Sequence, residues 1–198
     1  MVSFYRFVSI FFLVFLLSGC SSKVPKIEKI RPLPENFSCR VAVLPFIDKS
    51  DFPRGEKLLY KVFSAELAAA GFDVVPEGDV MDMYRQLKIY PSEDPTDEQL
   101  KIIVNRLHPE IFIGGDILRM NERKDAGQVE TEMTVVLYIF DAKTGLFLWG
   151  TYHKHRGKDY NKVLHFGTIN SIIGLAEAMS QEVIELWLEE GMKTCSNE

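Results

Sequence analysis

The chain alternates short apolar runs with amphipathic ones. "RVAVLPFID" (40–48) is β-branched and apolar with flanking breakers, which predicts a buried strand. In "KSDFPRGEKLLYKVFSAELAAAG" (49–71), Leu58, Leu59, Val62, Phe63 and Leu67 recur at helical spacing. Ser50 or Asp51 is placed to cap that helix, Pro53 suits its first turn and Gly71 its end. "FDVVP" (72–76) reads as a second short strand, and "GDVMDMYRQLKIY" (78–90) as a helix with Val80, Met83, Tyr84 and Leu87 on one side. After the breaker "PSEDP" (91–95), Thr96 and Gln99 form a capping box that opens a helix through about Leu107. Asp97 and Glu98 fall in its first turn, where the helix dipole favours them.

Three strands are predicted next, at 110–121, 129–141 and 146–156, with short turns holding Gly127 and "AKTG" (142–145). Consecutive short turns make an antiparallel meander. A closing helix spans about 160–190, with Ile169, Ile172, Ile173, Ala176, Met179, Val183 and Trp187 as its apolar stripe. The order is β-α-β-α-α-β-β-β-α, an α/β fold with a mixed sheet. Near the hairpin, Val136, Tyr138, Phe140, Phe147 and Trp149 are read on one face of the sheet, with Val135, Leu137, Ile139, Leu146 and Leu148 on the other. Apolar residues on both faces predict helices on both, an α-β-α sandwich.

The amino-terminal pattern is different. Phe7–Leu17 is apolar apart from Ser9, too short for a spanning helix of roughly 20 residues. With Arg6 before it and small residues after, it reads as a signal peptide, residues 1–19. Leu17-Ser18-Gly19-Cys20 resembles the bacterial lipobox. That resemblance implies cleavage between Gly19 and Cys20, with a diacylglycerol on the Cys20 sulfur and an acyl chain on its new amino group. Several acyl chains, at about 0.8 kcal/mol per buried methylene, make a stable anchor. By resemblance to lipoprotein sorting in double-membraned bacteria, Ser21 in place of aspartate favours the periplasmic leaflet of the outer membrane. Residues 20–38, with Pro25, Pro32 and Pro34, read as the lipidated tether, 39–192 as the periplasmic α/β domain and 193–198 as a tail.

The formal charge is −5, and cleavage before Cys20 removes a further cation, Arg6. This disfavours a nucleic-acid binder, which needs a basic footprint. With Cys20 taken by lipid, Cys39 and Cys195 remain in an oxidising compartment and are a candidate disulfide.

Three pieces in this order, "VAVLPFIDKS", "AELAAAGFDVVP" and "LYIFDAKTGLFLWG", resemble the periplasmic α/β domain shared by the TolB amino-terminal region, the curli-secretion lipoprotein CsgG and the penicillin-binding-protein activator LpoB. The resemblance covers roughly residues 40–190. It implies a non-catalytic envelope protein that acts by touching an envelope protein partner or itself. A ring-forming secretion or envelope assembly is the alternative. The long amphipathic hairpins of a membrane-spanning channel are missing, because the loops at 120–128 and 141–145 are too short. The tether is also shorter than the disordered arm of the penicillin-binding-protein activator.

Candidate chemistry is sparse. His153 and His155 are two apart on a strand and share a face, so with a third ligand they are candidate metal residues and the basis of a metal-binding or hydrolytic alternative. Beside Lys154, Arg156 and Lys158 the pair reads instead as a solvated strand end, and no metal, cofactor, catalytic residue or small-molecule substrate is assigned. Lys143-Thr144-Gly145 lacks the Ser-x-x-Lys partner of penicillin-interacting enzymes and reads as a turn. Phe140, Phe147, Trp149 and Tyr152 crowd one hairpin and are the candidate partner surface.

Overall fold

A computed structural model describes residues 24–35, 37, 39–125, 128–161 and 167–195. Gly19, Cys20, the leader and Gly127 lie outside them. The strands are β1 (Lys26–Lys29), β2 (Arg40–Val43), β3 (Ile47–Asp48), β4 (Asp73–Val74), β5 (Ile111–Asp125), β6 (Gln128–Asp141) and β7 (Phe147–Arg156). The helices are α1 (Gly55–Ala69), α2 (Glu77–Gln86), α3 (Asp97–Leu107) and α4 (Ile172–Glu189). One mixed sheet runs β1-β7-β6-β5-β2-β4, with β3 pairing β5. Strands β5, β6 and β7 are the antiparallel meander, while β2 runs parallel to β4 and β5.

Alternate strand residues enter two separate apolar clusters. Val41, Val43, Ile111, Ile113, Leu137 and Ile139 pack with Phe63 and Leu67 of α1 and Leu175, Met179, Val183 and Trp187 of α4. Ala42, Leu44 and Phe112 pack with Val80, Met83 and Tyr84 of α2 and Ile103 of α3. Period-two alternation in the strands makes this division.

Several elements depart from the sequence pattern. Lys26–Lys29, inside the expected tether, pairs antiparallel with β7. Short and carrying two lysines, it closes an edge that β7 would otherwise expose. The side chain expected to cap α1 does not do so. Ser50 instead donates its N–H (2.7 Å) and hydroxyl (2.6 Å) to Asp48 Oδ1, and α1 starts later behind Arg54 without a side-chain cap. The Thr96–Gln99 capping box is present at α3.

The closing helix also starts later than its stripe implies. Gly157–Tyr160 forms a 3-10 turn, and α4 begins at Ile172, where the Ser171 hydroxyl accepts the Gly174 N–H and Glu122 Oε2 accepts the Ile172 N–H at 2.8 Å. Ile169 therefore precedes the helix, and Ile173 points outward, 52% exposed.

Cys39 and Cys195 are joined by a disulfide with their Cα atoms 5.3 Å apart. The Cys195 N–H also donates to Gly71 O, so the chain end is stitched to the α1–β4 turn. The bridge spans 156 positions, and the loop-entropy picture gives it about 4–5 kcal/mol. A Cys39→Ala/Cys195→Ala chain should lose several kcal/mol in urea unfolding, with its far-UV spectrum unchanged. A loss below about 1 kcal/mol would contradict a stabilising bridge.

Candidate functional site

The hairpin β6–β7 carries the residues singled out from the sequence. A regular strand would put Phe147 and Trp149 on one face, because they are two apart. The register instead runs Ile139↔Trp149 and then Phe140↔Phe147, so Leu148 is an extra residue on β7. This bulge turns Phe147 to the opposite face. The four candidate aromatics therefore do not form one surface. Trp149 is buried with the α1/α4 cluster and donates its indole N–H to Arg31 O at 3.1 Å. Phe140, Phe147 and Tyr152 lie on the other face, together with Tyr138.

On that face Phe140 and Phe147 meet edge to face at 5.6 Å, and Tyr138 approaches them at 6.3 and 6.1 Å. Gly150, opposite Tyr138, keeps the face low, since a Cβ there would stand 3.1 Å from the Phe147 ring. Phe140 reaches the α2/α3 cluster, whereas Tyr138, Phe147 and Tyr152 belong to neither cluster among the described residues. Tyr152 and Leu118, the latter at a register shift in β5, are each 41% exposed. The Tyr138 hydroxyl donates to Asp116 Oδ2 at 3.1 Å, and Lys49 Nζ reaches the same oxygen at 2.9 Å. Burial first, then the Asp116 carboxylate, push the Tyr138 phenol up to about 12. Toward the far end of the face, Arg119 and Lys154 both pair with Glu132, at 3.3 and 3.5 Å.

The opposite, closed face holds the histidines. They were expected at a solvated strand end, but His153 is 1% and His155 6% exposed. The charged neighbours Lys154 and Arg156 alternate outward, so the histidines point inward beneath α4. His153 Nε2 lies 2.5 Å from Glu182 Oε2 on α4, and His155 Nε2 lies 3.5 Å from the same oxygen. The two imidazoles meet edge to face at 4.8 Å, and Tyr160 packs 4.9 Å from His155. Burial works against the Glu182 charge. The hydrogen bond from His153 and the neighbouring His155 outweigh it and hold the carboxyl below its ordinary range.

Glu182 and the Lys49–Asp116–Tyr138 group were not singled out from the sequence. Glu182 had a signal: it follows Met179 by three positions and adjoins Val183, at the margin of the apolar stripe. Asp116, in the middle of a strand otherwise apolar to Leu118, is the same kind of anomaly.

No protein-family model matches the chain, and no curated protein matches it in sequence. Solved structures do share its fold. A PelC dodecamer from Paraburkholderia phytofirmans aligns at TM-score 0.55 and 12% identity, over 81% of this chain and 95% of that one. The lipoprotein GNA1162 from Neisseria meningitidis aligns at TM-score 0.55 and 16% identity, over 76% of this chain and 99% of that one. The LpoB C-terminal domain from Salmonella enterica aligns more loosely, at TM-score 0.46 and 10% identity over 72% and 91% of the two chains. The resemblance to the TolB and CsgG domains is carried by the sequence motifs.

The split of the aromatics has a direct consequence. Trp149→Ala should cost about 3–5 kcal/mol, as a buried aromatic, and Tyr152→Ala less than about 1 kcal/mol, as a surface residue. Equal losses in chemical denaturation would contradict the two-face assignment.

Proposed function

We propose that the chain is a lipoprotein anchored to the periplasmic leaflet of the outer membrane, acting there as a non-catalytic binding or assembly factor. The observation that carries this reading is the open sheet face, where Tyr138, Phe147 and Tyr152 belong to neither apolar cluster. Clustered aromatics with a polar rim supply interface energy when a partner covers them. The lipobox supplies the anchor, and the shared fold with a Neisseria lipoprotein is consistent with it.

The position of β1 sharpens the picture. Lys26 lies six residues beyond Cys20, a reach of at most about 20 Å. The β1–β7 edge of the sheet is then held close to the bilayer, nearer than a free tether of 20–38 would hold it. Partner binding by the open face takes place at the membrane surface.

A second reading is self-association into a ring. It is favoured by the fold shared with PelC, whose structure is a dodecamer.

Photo-cross-linking in intact cells tests both readings. With a photoreactive residue at Tyr152, adducts should form at one or a few discrete masses. Multiples of the chain's own mass would select the ring, and other masses a separate partner. A probe at exposed Ile102 on α3 should give fewer adducts. Equal yields from both positions would sink the surface assignment. In the same cells Cys20→Ala should abolish fatty-acid labelling and release the chain from the membrane fraction. Labelling that persists in that variant would end the lipoprotein reading.

A further inference from the structure

The geometry points to a divalent transition-metal site, of the kind that takes zinc, made by His153, His155 and Glu182. One ring nitrogen of each histidine and a carboxylate oxygen of Glu182 all lie within 4.8 Å of one another. Ligands at about 2.0–2.2 Å from a tetrahedral zinc stand roughly 3.3–3.5 Å apart. The His155–Glu182 distance of 3.5 Å already has that value. The 2.5 Å His153–Glu182 contact has to widen by about 1 Å to reach that ligand spacing. Two imidazoles and one carboxylate form a borderline donor set, which suits zinc, cobalt, nickel or copper better than calcium or magnesium.

The surroundings are those of a ligand set. His155 Nδ1 stands 3.6 Å from Asp159 Oδ2, while Nε2 stands 3.5 Å from Glu182 Oε2. Metal-bound histidines commonly have a carboxylate behind them in this way. Asp159 is itself fixed by the Arg156 N–H at 2.8 Å. Both imidazoles are buried on a strand, while Glu182 is partly exposed on its side chain, leaving an approach from solvent. On binding, the metal replaces the Nε2 proton shared between His153 and Glu182, and that proton leaves to water. The fourth position is left for water or an incoming ligand. Bound there, the ion ties α4 to β7 whether or not the open face holds a partner.

The full chain, purified in detergent and stripped with a chelator, is titrated with cobalt(II) and then zinc(II). The expected result is one equivalent of cobalt with the visible bands of a four- or five-coordinate ion, displaced by zinc. Thermal unfolding should shift upward by about 5–10 °C at a hundredfold excess over the dissociation constant. Glu182→Gln and His155→Gln should each weaken binding at least tenfold, while His108→Gln, at the carboxyl end of α3, leaves it unchanged. Cobalt that keeps only the faint bands of the aquo ion overturns the site on the wild-type chain alone, whatever the variants do. Wild-type affinity in both folded variants overturns it as well.

Discussion

The seating of α4 across the closed face of the meander is the constraint on which the rest depends. Trp187 is fully buried, donates its indole N–H to Thr151 Oγ1 at 2.8 Å, and meets Phe63 of α1 edge to face at 5.7 Å. One side chain thus fixes α4 to β7 and to α1. The spacing does the remainder. Five residues back along the helix is about 7.5 Å, and two residues along the strand is about 6.7 Å. With Trp187 on Thr151, Glu182 stands level with His153, turned about 140° round the helix from Trp187, and reaches the histidine from the margin of the packed face. The polar cluster needs no separate device to assemble it, and any change that rotates α4 disperses it.

A second constraint divides the sheet by use. The Leu148 bulge sends Trp149 to the closed face and Phe147 to the open one. The closed face then holds a continuous core from Ile111 to Trp187. The open face keeps aromatics that no helix among the described residues fully covers, with an acid–base–phenol group at Asp116, Lys49 and Tyr138 beside them. β1 completes the sheet only six residues past Cys20, so the proposed lipid attachment would neighbour this sheet edge. The disulfide to Cys195 closes the opposite side, joining the entry to β2 with the end of the described chain.

The mixed α/β class, the antiparallel meander, the α3 capping box and the apolar registers of α1 and α2 were legible in the sequence, because each rests on local periodicity or local hydrogen bonding. What was not legible depends on pairing between distant segments. β1 has little apolar alternation and becomes a strand only because β7 offers it an edge. The bulge at Leu148 is invisible to a period-two reading, so Trp149 was grouped with Phe140, Phe147 and Tyr152 although it belongs to the core. His153 and His155 were correctly placed on one face, but which face was buried depended on α4. The contrast with Lys154 and Arg156 held the answer, since a strand that alternates histidine with lysine and arginine has only one side fit to be covered.

The account's central claim is that the open face is a contact surface and the closed face is not. Hydroxyl-radical footprinting of the chain in isolated envelopes and after purification tests it most directly, with Tyr90, 68% exposed near the α2–α3 turn, as an internal reference. The account predicts that oxidation of Tyr152 and Phe147 falls several-fold in the envelope while that of Tyr90 is unchanged, and that Trp149 is protected in both preparations. Equal oxidation of Tyr152 and Phe147 in envelope and purified chain would contradict it.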